Sequence, residues 1–234
     1  MTADLFYDPE FNPQQPILEG PEWKHCNRVL RHGPGDLILV TDGLGQGFQC
    51  RIGRVQPDHG ILEILGEKMQ PPPLRFRIAL APARQAERFE WFLEKSAEIG
   101  ILEVIPVITE RSLKRKWKPD RLKKVLVAAM KQSGSFWLAN LCEFTRFDDL
   151  LRMEGLAGEE RFIATMDGLP HLKSAYQAGG KALVLVGPEG DFSSAEAAGA
   201  ANAGFLPVNL GRSRLRSETA ALYALQTLAL AHVS

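Results

Sequence analysis

Residues 182–230 read ALVLVGPEGDFSSAEAAGAANAGFLPVNLGRSRLRSETAALYALQTLAL, and the rest of the chain is best understood from this stretch. Two apolar runs, Leu183–Val186 and Phe205–Leu210, each end at a glycine that opens a loop. After the first loop, Ser193 and Glu196 have the spacing of a capping box at a helix start. A basic turn and a long apolar segment follow the second run. The pattern predicts two buried strands of a parallel sheet, each followed by a helix.

The first loop reads GPEG at 187–190. Loops that leave parallel strands at their carboxyl ends meet at one edge of the sheet and form a cleft for a small ligand. Glycines in such a loop let a ligand approach the backbone closely, although Gly and Pro are equally common in plain turns. No Gly-Lys-Ser/Thr sequence follows, which argues against a P-loop.

The second loop reads LGRSRLRSETA at 210–220 and concentrates three arginines in five residues at a helix start. This charge opposes the helix dipole, which favours acidic groups at that end. We therefore expect the arginines to bind phosphate or to stabilise an anion that forms during a reaction. The alternative is a solvated basic turn partnered by Glu218.

Bulk composition excludes several classes of protein. The 234-residue chain is 45% hydrophobic and 24% charged, typical of a globular protein, and its net formal charge is zero. Any nucleic-acid-binding surface must therefore be local. The three cysteines are far apart without a CxxC pair, which favours a reduced cytoplasmic location over a disulfide framework or zinc site. No apolar run approaches the roughly 20 residues that cross a bilayer, so we expect no membrane contact.

The chain changes texture near residue 70. Before it, short strands separated by Asp-Gly, Gly-Gln-Gly and Pro-Asp-His-Gly turns predict a small β-barrel. Three consecutive prolines mark a boundary, and strands then alternate with helices, which predicts a mostly parallel α/β domain. We expect domains at 1–70 and 74–234. The predicted strands are 5–7, 37–41, 48–55, 61–65, 75–80, 102–107, 161–165, 182–186 and 206–210, and the predicted helices include 21–30, 87–99 and 119–130.

Further polar residues fall where a sheet ligand or an RNA can reach them. Arg111 follows a predicted strand and so lies on the carboxyl edge of the sheet. Arg28 and Arg31 form a basic cluster in the first domain, and Lys131 and Gln132 end a predicted helix. Each pattern also occurs in a solvated surface or a helix cap, so residue type alone leaves both interpretations open.

Taken together, these motifs resemble the RsmE-type small-subunit rRNA uridine-N3 methyltransferases of the SPOUT (trefoil-knotted) superfamily. The similarity extends over nearly the whole chain, and the order of GPEG followed by LGxxRLRxETA is highly specific. The matching segments are LFYDP (5–9), HCNRVLRHGPGD (25–36), DGLGQGFQCRI (42–52), KSAEIG (95–100), ITERS (108–112), AAMKQSG (128–134), LVGPEGDFSSAE (185–196) and LGRSRLRSETAALYAL (210–225).

The resemblance implies a fold, a reaction and partners. The fold would be an N-terminal PUA-like β-barrel followed by a SPOUT α/β domain whose C-terminal part forms a deep trefoil knot. The reaction would be methyl transfer from S-adenosylmethionine to N3 of a decoding-centre uridine in 16S rRNA of the small ribosomal subunit. The protein would be a cytoplasmic homodimer that needs no metal.

The resemblance also implies roles for individual residues. Cofactor contacts would come from three loops, namely Thr165, Met166, Asp167, Gly168, Val186, Gly187, Pro188, Glu189, Gly190, Leu210, Gly211 and Leu215. RNA contacts would come from Arg28, Arg31, Arg111, Lys131 and Gln132. The catalytic residues would be Arg214, Arg216 and Glu218. Many family members carry an arginine at the position of Ser213 and an aliphatic residue at that of Arg214, so either Arg214 or Arg216 takes the role of the family arginine.

The chemistry asks for two kinds of help. The negative charge that spreads over the uracil oxygens as N3 loses its proton calls for a cation, Arg214 or Arg216. Glu218 would accept the proton or orient an arginine. Two alternatives are a SPOUT methyltransferase that acts on a ribose 2′-hydroxyl or another base, and a non-catalytic RNA-binding or ribosome-assembly protein.

Overall fold

The computed structural model describes residues 3–112, 117–153, 158–166 and 169–232. They form two compact units. The first comprises the residues up to Pro72 together with Val127–Leu138, and the second comprises the rest. The domain division at 1–70 and 74–234 stays a prediction, and Val127–Leu138, which it assigns to the second domain, packs within the first unit. No helix among the described residues is long and apolar enough to cross a membrane.

The first unit is a curled five-stranded sheet with a helical segment after its second strand and the end of a helix contributed by Val127–Leu138. Its elements are β1 (Leu5–Tyr7), β2 (Ile17–Glu19), α1 (Gly20–Lys24), β3 (Leu37–Thr41), β4 (Gln46–Val55) and β5 (His59–Met69). The strand order is β1-β3-β4-β5-β2, in which only the β1–β3 pair is parallel. Two register shifts interrupt the long β4–β5 pair, and such bulges bend and twist a sheet.

Bulky side chains fill the concave side of this sheet. Phe6, Trp23 and Phe48 are almost completely buried. Gly60 makes room for the indole, because a Cβ at that position would lie 2.4 Å from the Trp23 ring. The helix predicted at 21–30 begins one residue early and changes after Lys24 into a π-helical stretch, His25–Val29, which local periodicity does not reveal.

The second unit is a parallel sheet with helices. Its strands are β6 (Leu74–Leu80), β7 (Ile101–Ile108), β8 (Asn140–Leu141), β9 (Thr145–Arg146), β10 (Glu159–Ala164), β11 (Lys181–Val186) and β12 (Leu206–Val208). Its helices are α2 (Ala86–Ile99), α3 (Pro119–Ser133), α4 (Phe147–Leu151), α5 (Leu172–Ala175), α6 (Ser194–Asn202) and α7 (Ser217–His232). Only the part of α3 before Val127 belongs to this unit.

Strand order and burial agree with the predicted parallel α/β arrangement. The order is β12-β10-β11-β6-β7-β8, with β9 also beside β7, and every pair is parallel. Residues Ala182–Val186 of the central strand β11 are all buried, as expected for a strand covered on both faces. Helix α7 buries Ala221, Ala224, Leu225 and Leu228, and it packs on α2 and β6.

Two differences from the predicted elements have physical causes. The strand predicted at 206–210 ends at Val208, because the Asn209 backbone bonds instead to Pro170 and Leu172. Strands β8 and β9 have only two residues each, too few for any hydrophobic period to appear in the sequence.

Candidate functional site

A pocket of about 360 Å³ opens at the carboxyl edge of the sheet, where β10, β11 and β12 end side by side. All of its described lining belongs to the second unit. The lining residues are Ala164, Thr165, Met166, Val186, Gly187, Pro188, Glu189, Asp191, Leu210, Gly211, Ser213, Arg214, Leu215, Ser217 and Ala220. Of the predicted cofactor residues that are described, all except Gly190 line this pocket.

The loop after β10 contributes Thr165 and Met166. The Thr165 amide donates to the Val208 carbonyl at 2.9 Å, which ties this loop to the end of β12. The Thr165 hydroxyl is buried and has no hydrogen-bond partner among the described residues. An unpaired buried hydroxyl in a pocket wall costs free energy unless a ligand supplies a partner. Asp167 and Gly168, also predicted to bind cofactor, lie outside the described residues.

The GPEG loop after β11 turns sharply. The Asp191 amide donates to the Pro188 carbonyl at 2.9 Å, and Asp191 itself has a φ of 62°. The Asp191 carboxylate accepts from the Phe192 amide at 2.8 Å, a local bond that makes this conformation tolerable for a non-glycine residue. A Cβ at Gly187 would lie 3.0 Å from the Phe192 ring, so a side chain there would fit only if the ring moved. The glycine thus lets the loop pack closely against the Phe192 ring.

The loop after β12 carries the arginines. Gly211 has a φ of 113°, in a region that favours glycine, and its amide donates to the Asn209 side chain at 3.1 Å. Arg214 lines the pocket and is exposed. Arg216 is also exposed but is not part of the pocket lining.

Glu218 is buried and does not line the pocket. Glu218 is 6% exposed, although Ser217 and Ala220, on either side of it in α7, both line the pocket. One carboxylate oxygen lies 3.7 Å from Nε of Arg88, and the other has no hydrogen-bond partner among the described residues. The structure therefore brings Arg214 to the pocket but neither Arg216 nor Glu218.

Arg88 lies in none of the motifs described above, yet its side chain contacts Glu189, which lines the pocket, and Glu218. Its Nη1 donates to a Glu189 carboxylate oxygen at 3.0 Å, in addition to its contact with Glu218. The sequence does hold one signal, because an arginine in the first turn of α2 opposes the helix dipole. That signal does not say which carboxylates neutralise the charge.

The residues expected to contact RNA fall into two groups. Arg111 donates to the Gly190 carbonyl, so its side chain holds the GPEG loop. Lys131 is bound to both carboxylate oxygens of Glu22, at 2.7 and 3.0 Å, and lies over the Phe6 ring. In contrast, the side chains of Arg28, Arg31 and Gln132 are exposed on the first unit.

The cysteine thiols are protonated in this structure. Burial raises the pKa of Cys26, Cys50 and Cys142 to about 12, so none of the three carries a thiolate near neutral pH. Within the described ranges, no group of three or more His, Cys, Asp or Glu side chains could hold a metal ion. The pocket residues themselves can bind a small ligand and stabilise negative charge next to it.

Known proteins resemble this chain along its length. The family model for an RNA methyltransferase domain matches residues 70–229. Ribosomal RNA small subunit methyltransferase E of Synechocystis sp. is 30% identical over 86% of this chain and 68% of its own length. A probable rRNA-methyltransferase from Porphyromonas gingivalis superposes with a TM-score of 0.90 at 37% identity, covering 97% of this chain and 99% of that one.

A third relative was solved with a ligand. Ribosomal RNA small subunit methyltransferase E from Neisseria gonorrhoeae, bound to S-adenosyl methionine, superposes with a TM-score of 0.88. It is 27% identical, and the superposition covers 99% of this chain and 98% of that one. Family model, sequence relatives and solved structures agree, and the chain belongs to the RNA methyltransferase family, as a methyltransferase of the RsmE type.

Proposed function

We propose that the protein transfers a methyl group from S-adenosylmethionine to N3 of a decoding-centre uridine in 16S rRNA of the small ribosomal subunit. The observation that carries the proposal is the pocket at the ends of β10, β11 and β12, which has Arg214 on its wall. Membership of the RsmE-type family supports the same activity. A relative of similar fold that was solved with S-adenosyl methionine supports the cofactor.

The pocket residues fit this cofactor. A volume of about 360 Å³ is within the range of small-molecule sites. The buried Thr165 hydroxyl lacks a partner, and a polar ligand atom would supply one. A Cβ at Gly211 would have no neighbour within 4 Å, so the backbone there is open to close approach. These features support binding by the three loops, together with the proposed contacts from Asp167, Gly168 and Gly190.

S-adenosylmethionine, when bound, supplies an electrophilic methyl group on its sulfonium sulfur. The loops position it against the base, and positioning is the largest help a protein can give to an in-line displacement. The N3 proton would pass to solvent and negative charge would spread over the ring oxygens; N3 would then take the methyl group as its bond to sulfur breaks and S-adenosylhomocysteine leaves. Arg214 is the arginine that lines the pocket, which supports giving it, rather than Arg216, the task of stabilising that charge. The burial of Glu218 and its contact with Arg88 support an orienting role over proton acceptance.

The first unit would hold the RNA. Arg28, Arg31 and Gln132 have exposed side chains there, which supports contacts to the phosphate backbone and a salt-dependent affinity. For Arg111 and Lys131, the hydrogen bonds described above support a structural role instead. The uridine must be unpaired or extruded from a helix, because N3 lies on its pairing edge.

The finer fold and the assembly form part of the same proposal. We propose that the curled sheet of the first unit is a PUA-like barrel and that the C-terminal part of the second unit forms a deep trefoil knot. The hydrogen bonds that join Asn209 to Leu172 and Pro170 form a single parallel bridge between these segments, and the support for the knot comes from family membership. Family membership supports a homodimer that acts in the cytoplasm.

The product can be tested directly. Purified protein and S-adenosylmethionine would be incubated with small ribosomal subunits from a strain that lacks its own methyltransferase of this type. Nucleoside mass spectrometry of the 16S rRNA should then find 3-methyluridine, and mass spectrometry of nuclease fragments should place it at a single position. A 2′-O-methylated nucleoside or another methylated base would favour the first alternative and contradict the proposed product.

The non-catalytic alternative is separated by calorimetry. A methyltransferase should bind S-adenosylmethionine at one site per chain, with an affinity that matches its use as a substrate. A ribosome-assembly protein with a vestigial pocket would give no heat of binding while still binding rRNA.

The assignment of the arginines gives a matched pair of variants. Arg214→Ala should lower kcat by about 100-fold to 1000-fold, as expected for the loss of one group that stabilises transition-state charge. Arg216→Ala, two residues away and outside the pocket lining, should lower kcat much less. Steady-state rates with saturating cofactor and subunits would measure both. Equal losses would contradict the assignment, and a larger loss for Arg216→Ala would reverse it.

A further inference from the structure

We propose that Arg88 is a positioning residue of the methyl-transfer site, because its guanidinium holds Glu189 and Glu218 in a fixed relation to each other. Glu189 lies on the GPEG loop and Glu218 at the start of α7, so Arg88 connects two walls of the pocket without lining it. The inference rests on the proposed function, since a positioning role requires that the pocket bind the methyl donor.

The geometry of the three side chains carries this inference. Nη1 of Arg88 lies 3.0 Å from Oε1 of Glu189, and Nε lies 3.7 Å from Oε1 of Glu218. The two carboxylates therefore meet different edges of one planar guanidinium, Glu189 through a hydrogen bond and Glu218 through an ion pair beyond hydrogen-bond distance. Arginine can serve two acceptors at once because its donors form a rigid fork, which the single ammonium of lysine cannot reproduce. Arg88 belongs to the first turn of α2, and this helix packs directly on α7.

Burial makes the contact with Glu218 important. The Glu218 side chain is 7% exposed, and that of Arg88 is 24% exposed. A carboxylate removed from water to this extent needs a nearby cation, and Arg88 forms an ion pair with it. Without the guanidinium, the first turn of α7 would be expected to move until the carboxylate met water.

Movement of either partner would deform the pocket. Glu189 is itself a lining residue. Ser217 and Ala220 flank Glu218 in the sequence of α7, and both line the pocket. A shift at the start of α7 would also move Arg214, which precedes the helix by three residues. Arg88 therefore acts on cofactor affinity through Glu189 and on the rate through the start of α7.

The first variants to compare are Arg88→Met and Arg88→Lys. Arg88→Met should weaken S-adenosylmethionine binding and lower kcat, each by roughly 10-fold to 100-fold, since displacements of about 1 Å at a site have effects of that size. Arg88→Lys keeps the charge but not the fork, so it should recover part of both losses. Calorimetry measures the affinity, and single-turnover methylation of small subunits measures the rate.

A double-mutant cycle shows whether Arg88 acts through Glu189. The Glu189 side chain is 56% exposed, so Glu189→Gln should fold normally and should weaken cofactor binding by several-fold. The double variant Arg88→Met/Glu189→Gln should bind no more weakly than Arg88→Met alone, because the two residues act through one contact. Fully additive losses, or wild-type affinity in Glu189→Gln, would overturn the proposal.

The matched control is Arg121→Met. Arg121 pairs with Glu90, also on α2, but its side chain is 63% exposed and far less buried than Arg88. The Arg121→Met variant should leave both the affinity for S-adenosylmethionine and the methylation rate unchanged. If Arg88→Met does not fold, as circular dichroism would show, Arg88→Lys and Glu189→Gln still decide the question.

Failure of this inference is distinguishable from failure of the proposed function. If the wild-type protein binds S-adenosylmethionine and methylates the subunit while Arg88→Met matches it in both measurements, the positioning role is wrong and the function stands. If the wild-type protein does not bind the cofactor, the proposed function is wrong, and the positioning role falls with it.

Discussion

Among single residues, Glu159 at the start of β10 has a pKa that is shifted by burial. Its side chain is 6% exposed, with one oxygen 3.1 Å from Arg77 and the other without a hydrogen-bond partner among the described residues. Burial raises the pKa of this carboxyl above its usual value of 4.5, and the Arg77 guanidinium offsets only part of the effect. Because the folded state holds this proton more tightly, the contribution of Glu159 to the free energy of unfolding falls as pH rises from 4.5 through the folded pKa, and it is constant above that.

Glu159→Gln should remove that dependence. The free energy of unfolding of the variant, relative to wild type, should rise with pH above 4.5 and then stay constant once Glu159 is ionised. Urea denaturation at a series of pH values would measure it. Glu94→Gln, at an exposed surface pair, controls for the loss of one carboxylate. Stability curves for Glu159→Gln and wild type that stay parallel through this range would contradict the assignment.

Among helices and loops, the Glu196 side chain links α6 by hydrogen bonds to the residue before the helix and to the loop after β7. Glu196 completes the capping box by accepting from the Ser193 amide at 2.9 Å, while the Ser193 hydroxyl accepts from the Glu196 amide. Its other oxygen accepts from the Glu110 amide at 2.8 Å, in the loop after β7. The capping box was predicted from spacing alone and is confirmed. The bond to Glu110 was not predictable, because it joins segments 86 residues apart.

Glu196→Ala should therefore destabilise the protein more than the loss of a cap with a single hydrogen bond would. Two backbone amides lose their acceptor, so the free energy of unfolding should fall by about 1–2 kcal/mol. Ser194→Ala, in the same first turn but without a role in the cap, should change it by no more than about 0.5 kcal/mol. Chemical denaturation compares the two variants. Equal effects would mean that Glu196 adds nothing beyond helix propensity.

For the whole molecule, the position of the pocket predicts where ligand binding stabilises the chain. All described lining residues belong to the second unit, so S-adenosylmethionine should stabilise that unit against unfolding. At 100 times its Kd, the ligand contributes about 2.7 kcal/mol. For a unit of this size, that corresponds to a rise in Tm of roughly 5–10 °C.

Differential scanning calorimetry with and without the cofactor would measure this rise. Adenosine triphosphate at the same concentration is a suitable control, because it shares the adenosine but lacks the methionine part. A Tm that stays the same at saturating S-adenosylmethionine would argue against a cofactor site in the second unit.

The sequence by itself determined the elements that local patterns encode. Continuous apolar runs marked β11 and β12, and glycines marked the loops that follow them, because strand burial and turn conformation depend on neighbouring residues. The motifs were specific enough to indicate the family. Since parallel strands end at one edge, the position of the pocket followed as well.

Only the tertiary structure decided which charged groups meet. The sequence does not distinguish the positions of Arg214, Arg216 and Glu218. In the structure Arg214 lines the pocket, Arg216 is exposed outside the lining, and Glu218 is buried. Arg88 reaches Glu189 across 101 positions of the chain. Such a contact depends on how α2, α7 and the GPEG loop pack together, and no local periodicity records it, because an ion pair forms wherever the fold brings opposite charges within reach.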